Sequence, residues 1–107
     1  MKRTYHKLVR DKIPEIIEGK GEIAVTKRLT NEEYWNALLE KALEELNEVR
    51  SAEDLEETKT ELADLLEIVR AMAEYKGFSL EEIIEEANNK AGARGKFADR
   101  IFLIGVD

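Results

Sequence analysis

Two carboxylate pairs in this sequence share one spacing: Glu45-Leu-Asn-Glu48 and Glu61-Leu-Ala-Asp64, with twelve residues between them. Within each pair the acids are three positions apart, so on a helix they project from nearly the same face. Two such helices laid side by side bring four oxygen ligands together. That donor set suits a hard divalent cation such as Mg²⁺, with Mn²⁺ as a substitute. A cation held in this way serves hydrolytic chemistry.

Glu is also a good helix former on exposed faces, and each of these acids taken singly is explained well enough as a solvated surface residue. The four together are harder to dismiss. At about 100° per residue, Glu61 falls within the apolar stripe of its helix, between Thr58, Leu65 and Ile68, and Asp64 lies just beside it. Glu45 borders the stripe of the other helix beside Leu38 and Val49, with Glu48 and Lys41 slightly further round. An ionised carboxylate at such a position is costly unless it is paired or bound to metal. Lys41, four residues before Glu45, can offset one charge but not four.

The basic residues fall into two groups. Lys7, Arg10 and Lys12, with Asp11 among them, belong to the opening segment from Tyr5 to Pro14. Lys90, Arg94 and Lys96 flank Gly92 and Gly95. Their ordinary role is to balance acidic helices and keep loops soluble. The sharper reading is phosphate recognition, because an Arg between glycines can approach a phosphate closely and bind it through two parallel hydrogen bonds. Tyr34 and Trp35 read as core or interface anchors rather than stacking platforms. Nothing beside His6 marks it as a general base.

The elements that must position these groups are mostly helical. Pro14 suits a first helical turn, and Gly19 and Gly21 end that short helix. Thr30 with Glu33 has capping-box spacing and opens a second helix. Its apolar positions 35, 38, 39, 42, 43, 46 and 49 form a near-ideal amphipathic repeat. A break at Ser51-Ala52-Glu53 precedes a third helix from about Asp54 to Tyr75, which Gly77 stops. Ser79 with Glu82 opens a fourth, predicted to reach about Ala91, followed by a basic, flexible loop from Gly92 to Phe97. Residues near 23–28 and 101–106 have the composition of short strands and are expected to form a β-hairpin. The fold class predicted is all-α and four-helix-bundle-like, as a single domain over residues 1–107.

Composition narrows the function. With 17 Lys+Arg against 24 Asp+Glu the net charge is −7, which argues against a general binder of nucleic-acid polymers or anionic membranes. No Cys is present and His6 is the single His, which excludes disulfides, thiol nucleophiles and Cys- or His-rich metal sites. No signal-peptide-length or membrane-length apolar run occurs, so a cytoplasmic location is expected.

In this context the two acidic motifs resemble the signature of the all-α nucleoside triphosphate pyrophosphohydrolase superfamily, which includes MazG proteins, dimeric dUTPases and phosphoribosyl-ATP pyrophosphohydrolase. The stretch from Lys41 to Val49 resembles that family's first metal helix, and Glu61 to Glu67 its second. The opening segment Tyr5–Pro14 and the closing Lys90…Arg94-Gly95-Lys96-Phe97 resemble the MazG-like or phosphoribosyl-ATP pyrophosphohydrolase-like subgroup. The resemblance spans nearly the whole chain. It implies Glu45, Glu48, Glu61 and Asp64 as metal ligands and catalytic groups. It implies Lys90 and Arg94 as triphosphate contacts, with Lys7, Arg10, Asp11, Lys12 and Lys41 as further substrate-binding candidates. The implied reaction is NTP + H₂O → NMP + PPi with Mg²⁺ as cofactor, in nucleotide-pool house-cleaning, by a homodimer or homotetramer. Phosphoribosyl-ATP is the alternative substrate. A non-catalytic acidic helical module, or a nucleotide sensor, is the rival from another class.

Overall fold

The computed structural model describes residues 3–107; Met1 and Lys2 lie outside the described residues. Four helices follow in order: α1 (Ile13–Gly19), α2 (Asn31–Ser51), α3 (Leu55–Tyr75) and α4 (Leu80–Arg94). The all-α expectation holds, and the sequence signals account for the helix boundaries. Thr30 Oγ1 accepts from the Glu33 amide at 3.3 Å while the Glu33 carboxylate accepts from the Thr30 amide at 3.0 Å. Asp54 caps α3 by accepting from the Glu57 amide at 2.8 Å. Ser79 and Glu82 form the same reciprocal cap on α4. Each such cap satisfies amide donors that the first helical turn leaves unpaired.

Only Ala52, Glu53 and Asp54 separate α2 from α3, a link short enough to force two antiparallel neighbours. Their mutual register is locked at the far end. Trp35 stacks on Tyr75 with ring centroids 5.5 Å apart, and Tyr34 meets Tyr75 edge-on at 5.6 Å. The Tyr75 hydroxyl donates to the Asn31 carbonyl at 3.1 Å. Lys76 Nζ sits 4.4 Å from the Trp35 ring centroid, a cation–π contact that covers the clamp. Leu38 on α2 and Ala73 and Ile68 on α3 are the buried apolar residues of the two long helices, at 3%, 6% and 8% exposure.

α4 packs on α3 alone. It buries Leu80 in its first turn, yet Ile84 and residues 85–90 are exposed, so it leaves the hairpin soon after it starts. The helix continues past the predicted stop at Ala91 to Arg94, because Gly95, at φ 85°, takes the left-handed conformation that ends it. Gly92 is therefore helical, and Arg94 lies one turn beyond Lys90 on the same helix rather than in the expected loop.

The predicted β-hairpin is not formed. No strand occurs among the described residues, and residues 23–28 and 101–106 carry no regular structure and make no backbone hydrogen bond. Two strands without a sheet or helix face to bury against are marginal in water.

The result is an elongated protomer, with a radius of gyration of 18.1 Å and extents of 62 × 35 × 25 Å. A compact domain of this length has a radius near ~13 Å. The accessible surface is 9848 Å², against about 6,100 Å² for a compact monomeric protein of this mass.

Candidate functional site

The clamp at Tyr75 determines what lies across from what in the middle of the hairpin. Glu45 is fourteen residues on from Asn31 along α2, and Glu61 is fourteen residues back from Tyr75 along α3. The register that pairs Asn31 with Tyr75 therefore brings Glu45 to the level of Glu61, with Asp64 one turn away on the same side. One carboxylate oxygen from each of Glu45, Glu61 and Asp64 lies within 4.8 Å of the other two.

Glu45 is the buried charged residue among those described, at 9% exposure, and its Oε2 has no hydrogen-bond partner. Burial, and then the neighbouring Glu61 and Asp64, push its carboxyl above the ordinary value of 4.5; Lys41 opposes them only weakly. Three carboxylates this close do not share ionisation comfortably without a positive charge among them. Part of that charge comes from outside the hairpin. Arg10 Nη2 donates to Asp64 Oδ1 at 2.8 Å, so the opening segment is laid across the acidic cluster. Asp11 follows it and comes close enough to Tyr34 to add to the effect of burial in raising that phenol's pKa.

The remaining expected site residues are distributed less tightly. Glu48 is exposed on α2 and lies outside the three-oxygen group. Lys41 pairs with Glu44 at 3.7 Å rather than with Glu45. Lys7 is exposed, its Nζ 5.7 Å from the Tyr5 ring centroid. Lys12 is the residue before α1 and makes no side-chain cap. Lys90 and Arg94 line an open cleft of about 450 Å³ with Ala87, Ala91 and Phe97 at the far end of α4. They make no ion pair with the acidic cluster among the described residues.

The donor set is all oxygen, carries excess negative charge and includes a buried atom without a partner. It fits a hard divalent cation held by Glu45, Glu61 and Asp64. What the sequence did not disclose is the aromatic clamp that places these acids together. Trp35 was legible as an anchor, but its partner Tyr75 is forty residues away and carries no local mark of the pairing.

Residues 3–91 match the family model described as phosphoribosyl-ATP pyrophosphohydrolase. A protein of Mycolicibacterium smegmatis (strain ATCC 700084 / mc(2)155), described only as an uncharacterized protein, is 48% identical over 46 residues, 43% of this chain and 47% of its own length. The matched region thus spans about half of that relative. No solved structure matches the chain, and no helix among the described residues is long and apolar enough to cross a membrane.

Proposed function

Since the chain belongs to the phosphoribosyl-ATP pyrophosphohydrolase family, one of the MazG-like all-α pyrophosphohydrolases, we propose that it is a Mg²⁺-dependent enzyme, with Mn²⁺ as a substitute. It hydrolyses the α–β phosphoanhydride bond of a nucleotide in the cytoplasm. The observation that carries this reading is the cluster of Glu45, Glu61 and Asp64, held at the register-locked middle of the hairpin with one buried oxygen unpartnered.

In the reaction a water oxygen bonds to the α-phosphorus, the bond from that phosphorus to the bridging oxygen breaks, and pyrophosphate leaves. A divalent cation bound at the cluster supplies charge neutralisation and an acidified water. The chain's own groups do the rest. Glu61 and Asp64 are fixed on one face of α3 and orient the donor set. Glu48, less than one turn beyond Glu45, completes it as the fourth carboxylate or accepts the proton of the attacking water. Arg10, already at the rim of the cluster, meets substrate phosphate through its remaining donors. Lys7, Lys12, Lys41, Lys90 and Arg94 add positive charge for the polyphosphate.

The family match favours phosphoribosyl-ATP as substrate. A free nucleoside triphosphate, in a house-cleaning role, is the second reading. It draws on the opening segment, whose MazG-like residues lie against the acidic cluster through the Arg10–Asp64 bond. Both substrates undergo the same bond cleavage. The working form is a homodimer or homotetramer, supported by about 3,700 Å² of surface beyond that of a compact chain and by half-exposed Leu43, Leu46, Leu62 and Leu66 on the long helices.

Pyrophosphate and orthophosphate release from phosphoribosyl-ATP and from a panel of ordinary and modified triphosphates tests the proposal. Metal-dependent pyrophosphate release, blocked by EDTA and lost in Glu61→Gln and Asp64→Asn, is the expected result. Unchanged turnover in either variant would remove the assigned site. Silence on every substrate would leave the non-catalytic helical module.

A further inference from the structure

We propose that residues 101–106, after α4, form a β-strand given to a second copy of this chain, where they pair with residues 23–28, each copy giving its arm to the other. This rests on the homo-oligomer reading above and specifies its contact. Among the described residues, no backbone hydrogen bond involves residues 23–29, and none lies beyond the Arg100 amide donating to the Phe97 carbonyl. Both segments lack regular secondary structure, match in length and carry strongly exposed apolar side chains. Ile23 and Val25 are 86% and 72% exposed; Phe102, Ile104 and Val106, at alternate positions that a strand places on one face, are 87%, 95% and 89% exposed. An apolar segment with unpaired backbone groups is a template for strand pairing.

The partner is a second copy for three reasons. α4 has 15 residues and so runs about 22 Å; it packs on α3 alone, and the apolar side chains of the arm beyond it stay at least 75% exposed. The surface in excess of a compact chain is about 3,700 Å². A stable obligate interface removes on the order of 1,000–2,500 Å² from each partner, so one contact between copies accounts for much of it. Charge also permits it: within 95–107, Lys96 and Arg100 balance Asp99 and Asp107, a neutral stretch on a chain of net charge −7. The neutral arm can approach a second acidic copy without the repulsion the helices would meet. Reciprocal exchange about a two-fold axis satisfies both arms and leaves no free segment.

The chain has no Cys, so introduced thiols report without background. Val25→Cys and Leu103→Cys, at exposed positions, are made singly, one of them with a size tag, then refolded together and treated with a short bismaleimide. The expected product joins residue 25 of one copy to residue 103 of another, several-fold above either homotypic product, and the double variant yields covalent dimer. A second pair, Thr26→Cys with Ile104→Cys, guards against one variant failing to fold, and helical circular dichroism confirms folding. A double variant that closes within one chain would overturn the proposal, as would homotypic products in equal yield. Sedimentation separates the two layers: a dimer lacking the 25–103 link overturns the arm exchange alone, whereas a monomer overturns the homo-oligomer reading as well.

Discussion

Replacing Glu45 with Gln should stabilise the metal-free protein while abolishing its response to divalent cations. The side chain is 9% exposed, and its Oε2 lacks a partner. A buried polar atom left unsatisfied costs about 1–3 kcal/mol. Gln keeps the volume, removes one negative charge from beside Glu61 and Asp64, and offers an amide donor to either. A gain of about 1–2 kcal/mol at pH 7 in EDTA follows. Mg²⁺ at roughly a hundred times its Kd stabilises a protein that binds it only when folded by about 2.7 kcal/mol. The wild type should show that increment, and Glu45→Gln little of it. The two therefore change rank when the metal is added. Urea unfolding followed by helical circular dichroism, at one protein concentration for every sample, measures both differences. A variant less stable than wild type in EDTA, or equal stabilisation of both proteins by Mg²⁺, would refute the reasoning.

The remaining predictions concern the same cluster and its support. Because the folded state raises the Glu45 pKa above 4.5, it binds that proton more tightly than the unfolded chain does. The associated stability is present below 4.5 and is lost as pH rises through the folded value. The metal-free wild type should thus lose stability from acid toward neutral pH, and the advantage of Glu45→Gln should grow over that range in a pH series of urea midpoints. Arg10→Met removes an exposed ion pair, so stability should change by no more than about 0.5 kcal/mol. Its kcat/KM for pyrophosphate release should nevertheless fall by about tenfold or more. Leu38→Ala, at a site 3% exposed between the long helices, should cost about 2–4 kcal/mol in the same urea assay.

The helical part of this architecture was legible because its signals are local. Capping pairs at Thr30/Glu33 and Ser79/Glu82 and the apolar repeat from Trp35 to Val49 each act within a few residues, and the helices begin where those signals lie. The sequence pointed to a group of four carboxylates, of which the structure brings three together and leaves Glu48 outside. Spacing of three on each helix, with only a short link between them, leaves few ways to pack the hairpin, and the structure groups Glu45, Glu61 and Asp64. Other features depend on distant partners and could not be read from the chain. The strand-like composition at 23–28 and 101–106 yields no strand in the single chain, because pairing needs a surface that the chain alone does not provide. The expected end at about Ala91 is three residues early because Gly92 lies inside α4, where a glycine costs only about 1 kcal/mol and does not end the helix. The stacking of Trp35 on Tyr75 is a contact across forty residues that no local pattern announces.

The most direct test of the central claim is pyrophosphate release by wild type and by Asp64→Asn, with phosphoribosyl-ATP and with a triphosphate panel, in Mg²⁺ and in EDTA. The predicted result is release by the wild type that requires the cation and is lost in the variant while its helical spectrum is unchanged. Release that survives EDTA, or that Asp64→Asn sustains at the wild-type rate, would contradict the account.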